Sequence, residues 1–134
     1  KFKSKAEELS VLDRCRFIGP VREVEKYYAA ADVFVFPSIY DPCANVTLEA
    51  MASGLPVITT VDNGASGVID AGKNSFILKT TDSVKEIIEY IIKLKNKKFR
   101  KIISKNARLT MLNHSKKDNY RKMIDIYQYI INNK

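Results

Sequence analysis

The chain is short of the residues that build several common sites. It has two cysteines, one histidine and no long apolar run. Cys15 and Cys43 stand far apart with no Cys-x-x-Cys spacing, so neither a disulfide framework nor a thiolate zinc site is expected. A reducing cytosol is the simpler compartment. His114 is the single histidine, and a His-built metal site or a Ser-His-Asp triad would rest on it alone. The longest apolar stretches, such as Ala29–Ala31 and Val33–Phe36, fall far short of the ~20 residues that cross a bilayer as a helix. The opening Lys-Phe-Lys-Ser-Lys-Ala-Glu-Glu has no apolar h-region of a secretory signal. It also lacks an initiator Met, so residue 1 need not be the first residue of the gene. No repeat, linker or low-complexity stretch divides the sequence.

What is present is the composition of one globular domain. The 134 residues are 46% hydrophobic and 28% charged, which argues against disorder and against a collagen-like repeat. The net charge of +8 is unevenly placed. Residues 1–83 carry nine Lys/Arg against eleven Asp/Glu, a net of −2, and residues 84–134 carry fourteen against four, a net of +10. A basic back half suggests a polyanion or an anionic membrane as partner, with a solvated lysine face as the alternative.

Strand and helix patterns alternate through residue 80. Arg14–Ile18 reads as a short strand closed by Gly19-Pro20, and Glu23–Ala31 as a helix with Val24, Tyr27 and Tyr28 at helical spacing. Val33–Phe36 is an unbroken β-branched and aromatic run, suited to a strand buried on both faces. Ala44–Ser53 reads as a helix, with Asp41 as N-cap, Pro42 in the first turn and Gly54 as the stop. Pro56–Thr60 is the next strand. A turn at Asn63-Gly64, a helical stretch to about Ile69, and a strand at Phe76–Leu78 follow. Three helices close the chain. Ser83 and Glu86 predict a capping box ahead of the stripe Val84, Ile87, Ile88, Ile91 and Ile92. Phe99, Ile102, Ile103 and Ala107 stripe the second. Ser115 and Asp118 cap the third, whose stripe runs from Tyr120 to Ile131. The alternation predicts an α/β fold, a parallel sheet with helices on both faces, followed by C-terminal helices.

Ligands of such sheets bind at the carboxyl ends of strands, near helix N-termini. That singles out the loops 19–22, 37–45 and 61–66. In the second, the free N–H groups of Ala44, Asn45 and Val46 suit a phosphate at the positive end of a helix dipole. Cys43 and Ala44 are small enough to let a ligand approach the backbone. Glu49 lies one turn beyond Asn45, among Leu48, Ala50, Met51 and Ala52. A carboxylate there calls for donors, and sugar or ribose hydroxyls are suitable ones. Two plainer readings stay open: Asp41 as a simple N-cap, and Glu49 as a solvent-facing carboxylate.

From Arg16 to Leu78 the sequence resembles the C-terminal, donor-binding domain of retaining GT-B glycosyltransferases. The resemblance is carried by Phe17-Ile18-Gly19, Ala31-Asp32-Val33, Pro37-Ser38, Asp41, Glu49-Ala50-Met51-Ala52-Ser53-Gly54-Leu55-Pro56-Val57 and Asn63-Gly64. It implies a Rossmann-like domain lacking its first strands, with residues 1–134 as one partial domain of a two-domain protein of about 300–400 residues. The terminal helix, 117–133, would contact an absent N-terminal domain, and the piece alone would be inactive. The pyrophosphate-clamping Arg and Lys of the family would lie upstream of Lys1.

By the same resemblance Glu49 holds the ribose hydroxyls and Asp41 accepts from the donor sugar's hydroxyls. Asn45 and Val46 give backbone N–H groups to the distal phosphate, and Val21 gives backbone contacts to the base. Asp41 stands where the family usually has Glu, Cys43-Ala44 where Phe-Gly is usual, and Gly67 where Glu is frequent. The loop is most similar to that of lipopolysaccharide-core glucosyltransferases.

The implied activity is retaining transfer of a hexose from a UDP- or GDP-sugar to a glycan or lipid-linked acceptor. It would take place in the cytoplasm, at or near the inner face of the membrane, with no metal or other cofactor. A nucleotide-sugar epimerase of the same fold is one alternative. A basic nucleic-acid-binding module is another, opposed by the apolar helix stripes and by the lack of a recognizable RNA motif.

Overall fold

A central four-residue strand in which every residue is buried, Val57-Ile58-Thr59-Thr60, organises the molecule. The computed structural model describes residues 1–42 and 44–133. In chain order these form α1 (Phe2–Glu8), a 3₁₀ turn (Leu12–Arg14), α2 (Val24–Ala30), β1 (Phe34–Phe36), α3 (Asn45–Ala52) and β2 (Val57–Thr60). A 3₁₀ segment (Gly64–Val68), β3 (Phe76–Leu78), α4 (Val84–Lys95), α5 (Lys97–Leu112) and α6 (Lys116–Asn132) complete them. The strands are parallel in the order β1-β2-β3, so the β-branched run of β2 sits between two neighbours.

Alternation along β2 divides the core. Val57 faces Tyr28, Ala50, Met51, Leu55 and Ala107, the side covered by α2 and α3. Ile58 faces Phe76, Leu78, Leu94 and Ile103, the side covered by α4 and α5. α5 contributes to both clusters and packs most extensively against α3. Arg100 of α5 also reaches Asp32, ahead of β1, at 2.9 Å and caps the Leu94 carbonyl at 2.8 Å.

Several expectations are corrected. Arg14–Ile18 is not a strand. Cys15 has extended dihedrals, but the segment enters no ladder, and Phe17 and Ile18 remain exposed. A strand is defined by its pairing, and β1 is hydrogen-bonded to β2 alone among the described strands. The helix α1 was not expected, although Phe2, Ala6 and Leu9 share a helical face, and Ala6 is buried.

Asp41 and Pro42 do not start α3, whose N-cap is Ala44. Asp41 instead prolongs the sheet contacts past β1: its N–H donates to Asp62 O (3.3 Å), and its carbonyl accepts from Gly64 N (2.8 Å). The Ser83–Glu86 capping box does not form. Ser83 Oγ pairs with Thr80 Oγ1 at 2.7 Å, and Glu86 accepts from Lys79 N at 3.2 Å. The single stripe expected on α4 is two. Ile87, Tyr90 and Leu94 pack inward, whereas Val84, Ile88, Ile91 and Ile92 are exposed.

Candidate functional site

The carboxyl ends of the strands gather the loops that the sequence singled out. At the end of β2, Asn63 is fully buried, and its amide does three things. Its Nδ2 donates to Thr59 Oγ1 (2.9 Å) and to Thr47 Oγ1 (3.1 Å), and its Oδ1 accepts from Ala65 N (3.0 Å). Thr59 Oγ1 in turn donates to Phe36 O at 2.8 Å, and Thr60 Oγ1 to Ser38 O at 2.6 Å. One network thus fixes the end of β1, the first turn of α3 and the 61–66 loop. Ser38 Oγ, on the 37–45 loop after β1, is enclosed with no partner among the described residues.

The first turn of α3 is open. Ala44 is buried, but Asn45 and Val46 are exposed. As in any helix, the first N–H groups have no carbonyl a turn earlier to bond. Together with the dipole they form a positive, donor-rich tip. Cys43 lies outside the described residues. Asp41 is half-buried beside this tip and is tied through its backbone to Asp62 and Gly64.

On the other flank an apolar cleft of about 450 Å³ runs between the 18–21 loop, α2, β1 and the start of α3. Val21, Tyr28, Phe36 and Val46 are among its walls. Gly19 permits the turn that brings Val21 there, since its φ of +74° is a left-handed conformation. The 19–22 and 37–45 loops therefore meet at α3, and the 61–66 loop reaches the same helix through Asn63.

Glu49 sits on the second turn of α3 and is exposed, not enclosed among its apolar sequence neighbours. The apolar residues around it in sequence point elsewhere: Ala50 and Met51 face the core. Its Oε2 accepts a hydrogen bond from the Tyr28 hydroxyl at 3.4 Å, and Val46 O lies at the same distance from that hydroxyl. Burial, and then the charge of Glu49, hold the Tyr28 phenol above its usual value, so it remains a donor. In the sequence Tyr28 stands out only as a stripe residue. The signal available was a polar tip on an otherwise apolar face, which calls for a partner when buried. In the sequence Asn63 stands out only as a turn residue.

These features share one end of the sheet: an open helix tip, the Asp41 loop, the Glu49 carboxylate one turn along and an apolar slot. A family model, glycosyl transferases group 1, matches residues 1–110. The chain belongs to this family. An uncharacterized glycosyltransferase of Methanocaldococcus jannaschii is 32% identical over 126 residues, 90% of this chain and 32% of the relative. The lipopolysaccharide core biosynthesis glycosyltransferase LpsE of Rhizobium meliloti is 36% identical over 78 residues, 58% of this chain and 23% of that protein.

The crystal structure of HepE from Anabaena in complex with UDP-glucose superposes with a TM-score of 0.71 at 24% identity, over 82% of this chain and 30% of HepE. The chain thus spans a third or less of each of these proteins. Its fold is that of group 1 glycosyltransferase domains, a parallel sheet with helices on both sides. Among the described residues no helix is long and apolar enough to cross a membrane. No group of three or more His, Cys, Asp or Glu among them is placed to hold a metal ion.

Proposed function

We propose that this chain is the donor-binding part of a retaining glycosyltransferase that moves a hexose from a nucleotide sugar to an acceptor hydroxyl in cell-surface glycan or lipopolysaccharide synthesis. The observation that carries the reading is the open first turn of α3, flanked by the apolar cleft on one side and the Asp41 loop on the other. In this reading the N–H groups of Asn45 and Val46 receive the diphosphate, and the small Cys43 and Ala44 let it approach. Glu49 accepts from the ribose hydroxyls, Asp41 from the sugar hydroxyls, and Val21 meets the base. The chain's contribution is positioning and charge stabilisation of the departing diphosphate, and no metal or other cofactor is called on. HepE, which binds UDP-glucose, supports a UDP-sugar donor; LpsE supports a lipopolysaccharide setting. Neither relative favours the epimerase or the nucleic-acid module.

The same proposal includes a glycan or lipid-linked acceptor and a cytoplasmic location. The exposed face of α6 from Tyr120 to Ile131 would contact an N-terminal domain, and the basic helices would dock on an anionic membrane. The central test is Glu49→Ala in the intact protein, with a panel of UDP- and GDP-hexoses read by thermal shift and by turnover. Hydrogen bonds to a charged group contribute roughly 1.5–3 kcal/mol. The substitution should therefore weaken donor binding by about ten- to a hundredfold. Unchanged KM and kcat for every donor would refute the assignment.

A further inference from the structure

We infer that Tyr28 is a positioning residue for Glu49, and that through this contact the chain selects ribonucleotides over deoxyribonucleotides. The inference rests on the reading of Glu49 as the ribose-binding group. It begins from a hydroxyl that packing does not require. Tyr28 is 6% exposed, and its ring meets that of Phe34 edge-on at 5.8 Å between centroids. A phenylalanine would fill the same space and keep the same ring contact. The oxygen adds only its two acceptors, Val46 O and Glu49 Oε2, each at 3.4 Å and both on the first two turns of α3.

A phenol has one proton to give. An ionised carboxylate is the stronger acceptor, because charge-assisted hydrogen bonds are roughly twice as strong as neutral ones. The Tyr28 hydroxyl is therefore directed mainly at Glu49. This matters because Glu49 is exposed. A free glutamate samples many rotamers, and ordering one costs up to about 1.5–2 kcal/mol of side-chain entropy. A donor fixed in the core selects one of those rotamers before any ligand arrives. One carboxylate oxygen accepts the hydrogen bond from the phenol, and the remaining lone pairs stay available to a vicinal diol. Tyr28 also lines the apolar cleft beside Val21 and Val46, so the same side chain borders the proposed base slot and orients the proposed ribose carboxylate.

The test is calorimetric titration of the intact protein with UDP, 2′-deoxy-UDP and 3′-deoxy-UDP, and with the GDP series in parallel. Wild type, Tyr28→Phe, Glu49→Ala and the double variant are compared. The readout is the ratio of Kd values for the deoxy and ribo forms. Both affinities are measured on one sample, so a loss of folded fraction cancels from the ratio. Wild type should prefer the ribonucleotide, and Glu49→Ala should erase the preference. Tyr28→Phe should shrink it by about three- to tenfold, the effect of one hydrogen bond. The double variant should match Glu49→Ala alone. A Tyr28→Phe ratio equal to wild type, with Glu49→Ala still effective, overturns this inference and leaves the site reading standing. A ratio unmoved by Glu49→Ala, or no binding of either nucleotide, overturns both.

Discussion

The side-chain amide of Asn63 shows how much of this site depends on a single residue. Three donors and acceptors from three different segments end on it, and it is inaccessible to water. Asn63→Ala would leave the Ala65 N–H without its acceptor and would strip Thr47 and Thr59 of a donor. An unpaired buried polar group costs about 1–3 kcal/mol, so the variant should unfold at least about 2 kcal/mol more easily in urea. The first turn of α3 should loosen with it, visible as faster amide exchange at Thr47 and Leu48. A loss below about 0.5 kcal/mol would mean that the network is not structural. The sequence told that Asn63-Gly64 turns the chain. It did not tell that the amide points inward, because an Asn-Gly pair makes the same turn whether its side chain meets solvent or a buried threonine. Glu49 shows the converse. Its apolar neighbours in sequence suggested an enclosed carboxylate, yet on a helix adjacent residues face different ways, and the carboxylate lies at the surface.

Among the elements, legibility followed pairing and periodicity. β2 and β3 were readable because a buried parallel strand is a continuous apolar or β-branched run whatever surrounds it. The end of α3 was readable because Gly54, at φ +81°, returns N–H bonds to Met51 O and Leu55 to Ala50 O, a stop that few other residues make. The Arg14–Ile18 segment misled because β propensity describes a half-buried surface, and this stretch has no described neighbour to complete one.

The helices with two apolar faces misled in another way. Along α5 the sequence spacing puts Ile102 and Ile103 in one stripe, but Ile103 is 1% exposed and Ile102 is 58% exposed. The two adjacent residues should therefore differ sharply in their response to truncation. Ile103→Ala removes core atoms between β3, α4 and α5 and should cost about 2–5 kcal/mol. Ile102→Ala should stay within about 0.5 kcal/mol of wild type. Equal losses in chemical denaturation would show that the outer face of α5 is covered.

For the whole molecule, the uneven charge has a structural address. α5 carries six Lys/Arg and no acidic residue. Arg100 is drawn inward to Asp32, but Lys98, Lys101, Lys105 and Arg108 are exposed on the outer surface of the helix. Ile102, Leu109 and Leu112, all exposed, are interspersed among them. A purely solvated lysine face has no use for those apolar residues, whereas an anionic bilayer accommodates both: the charges attract from a distance, and the apolar groups enter the interface. Each basic residue near such a surface contributes roughly 1 kcal/mol, and the attraction decays over a Debye length of ~10 Å at 0.1 M salt. The intact protein should therefore sediment with vesicles containing phosphatidylglycerol at low salt, and far less with neutral phosphatidylcholine vesicles. The bound fraction should fall steeply toward 1 M salt. Lys101→Glu with Lys105→Glu should lower binding at every salt concentration, and both positions lie on the exposed face, so the fold should be unaffected. Binding that ignores salt, or that survives the charge reversal intact, would assign the lysines to solvation alone.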